Sequence, residues 1–202
     1  MRLCFALLVL SLPSYSFAQA PVWASGWWLS AGADGTRFGS VATSIPAPQE
    51  PEASLRPSGR TGLHVAVARG FGAWRAQFEF GWALGEAEAG NEMVAVRDKT
   101  LDLSRYRLAP GVERRLVGIG AGELAIALSP TLDLWRAAGD DHARLGAEAR
   151  VALRLPLGGL ALENRLSAGL SGSPLDPQNL GPGFETSTLE WLAFGVALWL
   201  PL

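Results

Sequence analysis

Apolar and polar residues alternate with a period of two along most of the chain, the pattern of strands with one apolar face. In Trp74–Leu84, the residues Trp74, Ala76, Phe78, Phe80, Trp82 and Leu84 fall on one side, and Arg75, Gln77, Glu79, Gly81 and Ala83 on the other. Helical spacing would mix the two sets, whereas a strand separates them. Leu145–Leu157 opposes Leu145, Ala147, Ala149, Val151, Leu153, Leu155 and Leu157 to Gly146, Glu148, Arg150, Ala152 and Arg154. Leu160–Leu170 opposes its leucines and Ala168 to Ala161, Glu163, Arg165, Ser167 and Gly169, with Asn164 the polar exception on the apolar side. Leu124–Leu134 and the Leu63, Val65, Val67 set behave alike. Trp27–Phe38, Ser104–Arg114 and Leu189–Leu202 complete a predicted set of eight strands.

The connections add a second rhythm. Gly39–Arg60, Glu86–Thr100 and Gly172–Ser187 are long and polar, and Gly139–Arg144 is a shorter member of the same set. Between them lie tight links around Gly70-Phe71-Gly72, Gly118–Gly122 and Pro156–Gly159. Long and short connections that alternate predict an up-and-down antiparallel barrel with one elaborated end and one plain end.

Alternation alone does not say which face is wet. A soluble, lipocalin-like barrel holding an apolar ligand would turn the leucine face inward, and a membrane barrel would turn it outward. The charged face also carries the small residues, which suits the narrow interior of eight strands. Its charges balance: Arg75, Arg105, Arg107, Arg150, Arg154 and Arg165 stand against Asp34, Glu79, Glu113, Asp133, Glu148 and Glu163. Arginine suits such a network because its planar fork pairs bidentately with carboxylates. The tryptophans Trp23, Trp27, Trp28, Trp74, Trp82, Trp135, Trp191 and Trp199 cluster near predicted strand ends, as interfacial belts would require. The expected fold is therefore an all-β, eight-stranded transmembrane barrel with a closed, salt-bridged lumen.

Composition agrees with one barrel domain. The chain has 202 residues, 49% of them hydrophobic and 18% charged, with 24 Gly and 13 Pro, which excludes a disordered or coiled-coil chain. A net charge of -2 gives no electrostatic footprint for nucleic acid. Arg2, the apolar run Leu3–Leu12 and the small residues around Ser16-Phe17-Ala18 read as a secretory signal cleaved after Ala18, leaving 19–202 as the barrel. The run is too short for a membrane helix, which needs roughly 20 residues.

With strand count, loop rhythm and export signal together, the chain resembles the small eight-stranded outer-membrane β-barrels of Gram-negative bacteria. Tyr106-Arg107-Leu108-Ala109-Pro110-Gly111-Val112-Glu113 and the terminal strand Trp191–Leu202 carry the resemblance, although that strand closes on Pro201-Leu202 where such barrels usually end in an aromatic residue. The resemblance implies an outer-membrane location and, as partners, outer-membrane lipid and the barrel-insertion machinery. It implies a structural or loop-mediated role.

Candidate chemistry is sparse. Cys4 is the single cysteine and lies in the signal, so no thiol chemistry is expected of the mature chain, and no metal or cofactor is expected. His64, with Ser30 and Asp34 on the preceding strand, is the one arrangement that suggests a lipid hydrolase; a histidine tied into the lumen charges is the plainer reading. Asp140-Asp141-His142 is read as a solvated tip instead of a cation site, and Gly118-Ile119-Gly120-Ala121-Gly122 as a turn, lacking the βαβ setting of a dinucleotide loop. The Pro-rich segment Ile45–Pro57 is read as an extended surface loop. The chain is thus expected to be non-enzymatic.

Overall fold

The structure, a computed structural model, describes residues 25–45, 53–90, 95–137, 140–175 and 183–202; the expected signal peptide, its cleavage site and Cys4 lie outside the described residues. Eleven strands form one antiparallel sheet: β1 (Ser25–Phe38), β2 (Ala42–Ser44), β3 (Ser54–Pro57), β4 (Arg60–Phe71), β5 (Trp74–Gly90), β6 (Ala95–Ile119), β7 (Gly122–Ala137), β8 (Asp140–Leu157), β9 (Leu160–Ser171), β10 (Phe184–Thr186) and β11 (Leu189–Pro201). Eight of these, β1, β4 to β9 and β11, each pair with the next in chain order, and β11 pairs back onto β1. The ring is closed, so the wall exposes no unpaired edge.

At the plain end each hairpin turns in two residues, with Phe71 opposite Trp74, Ile119 opposite Gly122 and Leu157 opposite Leu160. Gly72, Gly120 and Gly158 occupy the first turn position with φ of 67°, 61° and 64°. Two-residue hairpins need that left-handed geometry, and glycine adopts it without steric cost.

The elaborated end is more ordered than the alternation suggests. Glu86–Thr100, expected as a loop, is largely a hairpin extension: β5 continues to Gly90 and β6 starts at Ala95, after a register shift between Glu86 and Ala87. The Gly39–Arg60 connection contains β2 and β3, and Gly172–Ser187 contains β10. These short strands pair in the order β10-β2-β3-β5, so two long connections dock on the rim of β5. The expected Gly139–Arg144 loop also shrinks, since β8 begins at Asp140 opposite Ala137. Strands that rise out of an apolar medium are wetted on both faces, so they lose the hydrophobic alternation that would identify them.

Two irregularities punctuate the wall. A bulge between Arg115 and Val117 leaves Leu116 and Val117 both exposed on the outside. Pro110 and Pro130 lack an N–H, and the β6–β7 pairing passes from Leu108 opposite Leu132 to Val112 opposite Leu128 across them.

The inside-out distribution settles which face is wet. Leu63, Phe78, Leu128, Leu166 and Phe194 are each about half exposed on the outer wall, and Leu145 is 79% exposed. The charged side chains expected in the lumen, from Asp34 to Arg165, point into the barrel. Such a wall is stable against hydrocarbon and not against water, which overturns the soluble, lipocalin-like alternative. The tryptophan belt needs a correction. Trp27, Trp74 and Trp82 are on the outer wall, but Trp28, Trp135, Trp191 and Trp199 are buried in the lumen, and Trp23 lies outside the described residues. Their parity is that of Ser30, Asp133 and Ala193, which are inward-facing.

Candidate functional site: the charged lumen

Strand parity delivers all twelve expected charges to the interior, where the structure arranges them in three tiers. Next to the plain end, Arg154 donates through both terminal nitrogens to Glu113, through Nε to Glu163 Oε2 at 2.6 Å, and through Nη1 to Glu123 Oε1 at 3.2 Å. Arg75 supports the same group, 3.4 Å from Glu113 and 3.7 Å from Glu123. Glu163 Oε2 also accepts the Trp199 indole N–H at 3.0 Å.

Glu79 holds the middle. Arg107, Arg150 and Arg165 converge on its carboxylate at 2.7, 2.8 and 2.5 Å. Arg107 reaches Glu148 at 2.9 Å with its other terminal nitrogen. Arg165 grips Asp34 bidentately, Nε to Oδ1 at 2.8 Å and Nη2 to Oδ2 at 2.6 Å. His64 Nδ1 lies 3.0 Å from Asp34 Oδ2 and joins this tier. Near the elaborated end, Arg105 and Asp133 form a second bidentate pair, both contacts at 2.9 Å.

Aromatic lids close over part of each mouth, although at the plain end Arg75, Glu113 and Glu123 reach the turn residues Gly72 and Ala73 beside the lid. Trp28, Ala66, Ala68, Ala161 and Trp199 make an apolar cluster at the plain end. Phe38, Val41, Trp135, Leu189, Trp191 and Ala193 make the other, with Leu55 and Leu175 from the long connections packed on it. The lids also stabilise cations. The Arg105 guanidinium lies 5.0 to 5.7 Å from the rings of Trp191, Trp135 and Phe38, and those of Arg75 and Arg154 lie 5.1 and 5.4 Å from Trp199.

Small residues make the space. A Cβ on Gly195 would collide with the Asp34 carboxylate, and one on Gly169 with the Trp191 ring. Asp133, Arg154 and Glu163 have no measurable exposure. Removing such groups from water is costly, and only dense pairing of this kind compensates for it. A cavity of about 30 Å³, bounded by Asp34, Gly62, Gly81, Ala83, Arg105 and Arg107, leaves room for a water or two.

Sequence reasoning missed Glu123, which sits one residue before the expected start of β7 and shares the inward parity of Ala125 and Ala127. It also treated Gln77 as an ordinary member of its face, although that side chain is buried beside this network. Ser30 does not complete a triad. It is opposite Ala66, while His64 is opposite Gly32, and no hydrogen bond joins Ser30 to His64. Asp34 is committed to Arg165.

Asp141, above the apolar band, pairs with Arg136 at 2.9 Å. The Arg136 hydrogen bond and charge hold its carboxyl below the ordinary range. No group of three or more metal-ligating side chains occurs among the described residues. Gly118–Gly122 is the end of a hairpin, as expected.

No protein-family model matches the sequence, and no curated protein matches it. Solved structures do match the fold. The outer membrane protein OprG from Pseudomonas aeruginosa aligns at TM-score 0.56 and 9% identity, over 89% of this chain and 98% of that one. The outer membrane protein AlkL, solved in lipid bilayers, aligns at TM-score 0.56 and 14% identity, over 92% and 95%. Neisserial surface protein A aligns at TM-score 0.51 and 11% identity, over 86% and 96%. The fold of this chain is that of the small eight-stranded outer-membrane β-barrels.

Proposed function

We propose that this barrel is a closed, non-catalytic anchor in the outer membrane that presents its long connections to the outside, where they engage a partner. The observation that carries the proposal is a lumen filled with buried, mutually paired charges, with an apolar lid over the elaborated mouth and aromatic packing beside the charges at the plain one. Eight strands leave an interior just filled by side chains, so the wall has no room for a solute path. The β10-β2-β3-β5 sheet supports the second half of the reading. Long connections that only tethered strands would have no reason to pair with one another.

The test begins with the mature protein reconstituted in planar bilayers and run on gels with and without boiling. A boiling-dependent shift with electrically silent bilayers is expected. Steady ohmic steps would overturn the closed lumen, and a soluble protein with no shift would overturn membrane embedding. Replacing 40–58 by a short Gly/Ser turn then separates the two halves of the role. The trimmed barrel should fold and yet fail to restore a surface phenotype that the full chain restores in a deletion strain. Full restoration would make the role purely structural.

A further inference from the structure

The outer wall carries a furrow whose shape and charge the closed lumen does not use. Along the outer face of β1, side chains shrink from Trp27 and Leu29 through Ala31 and Ala33 to Gly35, and the next outward residue is Arg37. The neighbouring strands rise on both sides. Ala33 lies between Leu63 and Val196, and Gly35 between Thr61 and Phe194. At Gly35 the floor is bare backbone, and even an added Cβ would meet nothing closer than 3.9 Å. The upper part of the furrow opens into a groove of about 470 Å³ walled by Leu166, Leu192 and Phe194, with Arg37 and Thr61 at its head.

Arg37 is unlike the arginines at the opposite rim. Arg69 stacks over Trp27 and Phe71, and Arg114 over Trp74, whereas no carboxylate or ring among the described residues engages Arg37. Ala31 to Gly35 spans about 13 Å of strand. At a tilt near 40° that is about 10 Å of depth, or two-thirds of one leaflet of a ~30 Å hydrocarbon core. An apolar trough about two-thirds of a leaflet deep, headed at the elaborated end by a hydroxyl and a cation that no described group engages, fits one kind of occupant. We propose that this groove seats an acyl chain of a phosphorylated outer-leaflet glycolipid of the lipid A type, with its phosphate on Arg37 and Thr61. Guanidinium–phosphate bonds are charge-assisted, and lie here at the edge of a low-dielectric region that strengthens them. The inference rests on the membrane-embedded reading above.

The test is native mass spectrometry of the mature protein in phosphatidylcholine nanodiscs. The added probes are bis-phosphorylated lipid A, its dephosphorylated form and phosphatidylglycerol. Wild type should retain lipid A over both other probes. Arg37→Gln should lower retention about tenfold, the loss of one charge-assisted contact. Gly35→Leu, which fills the groove and leaves the charge, should lower it comparably, and Arg114→Gln at the other rim should leave it unchanged. Equal retention by Arg37→Gln, equal retention of dephosphorylated lipid A or phosphatidylglycerol, or a second copy of the chain bound in place of lipid would each overturn the proposal. Boiling-dependent gel mobility of every variant keeps the outcomes apart, since its absence from wild type would refute the membrane reading itself.

Discussion

Arg154 gives the sharpest test of the interior. In its tier two guanidiniums, Arg75 and Arg154, face three carboxylates, Glu113, Glu123 and Glu163. Replacing Arg154 by Met keeps most of the volume and leaves one cation against three anions. Arg75 remains 3.4 and 3.7 Å from Glu113 and Glu123, but Glu163 keeps only the Trp199 N–H as a donor among the described residues. Breaking a buried pair by removing one member costs roughly 3–5 kcal/mol, because a buried charge is left uncompensated. The same variant carrying Glu113→Gln and Glu163→Gln restores one cation to one anion, and should recover more than half of that loss. The assay is urea unfolding in lipid vesicles followed by tryptophan fluorescence, with boiling-dependent gel mobility as a check on the barrel. A cost for Arg154→Met below about 1 kcal/mol would place the pair in the range of solvated ion pairs and refute the desolvated lumen. Failure of the triple variant to recover would show that packing, not charge, is what Arg154 contributes.

Further outcomes follow from the wall, the lids and the small residues. Phe78→Arg puts a charge on the outer wall and should cost roughly 2–4 kcal/mol, read as a lower folded fraction on gels after insertion into vesicles. Leu153→Arg should act in the same direction. Trp191→Ala removes the ring over Arg105 and Arg107 and opens the lid, at a cost of roughly 3–5 kcal/mol by urea titration. Unchanged stability would mean that the long connections carry that lid without it. Gly195→Ala drives a methyl group into the Asp34 carboxylate and should destabilise by about 1–3 kcal/mol.

Much of this molecule was legible along the chain because a membrane barrel must satisfy its backbone internally, and strands with period two are how it does so. Within the apolar band each residue faces either lipid or lumen. Arg150 and Glu148 could therefore be assigned inward, and Val151 and Leu153 outward, from parity alone. The same parity places Trp28, Trp135, Trp191 and Trp199 inside and reaches Glu123, so those misreadings came from giving residue type priority over position. Beyond the band the rule has no purchase. Glu86 to Gly90 offers only acidic and small residues, and only the pairing of β5 with β6 and β3 makes it strand.

Tertiary structure alone decided the partnerships. Arg165 and Asp34 are 131 residues apart in sequence and meet because β11 closes onto β1 and brings β9 alongside. Closure also brings Phe194 alongside Gly35, opposite Thr61 of β4, and so forms the groove beneath Arg37. One strand's alternation determines which face each side chain occupies, since that depends on local backbone geometry. Which charges meet depends on strand stagger around the closed ring, a property of all eight strands together.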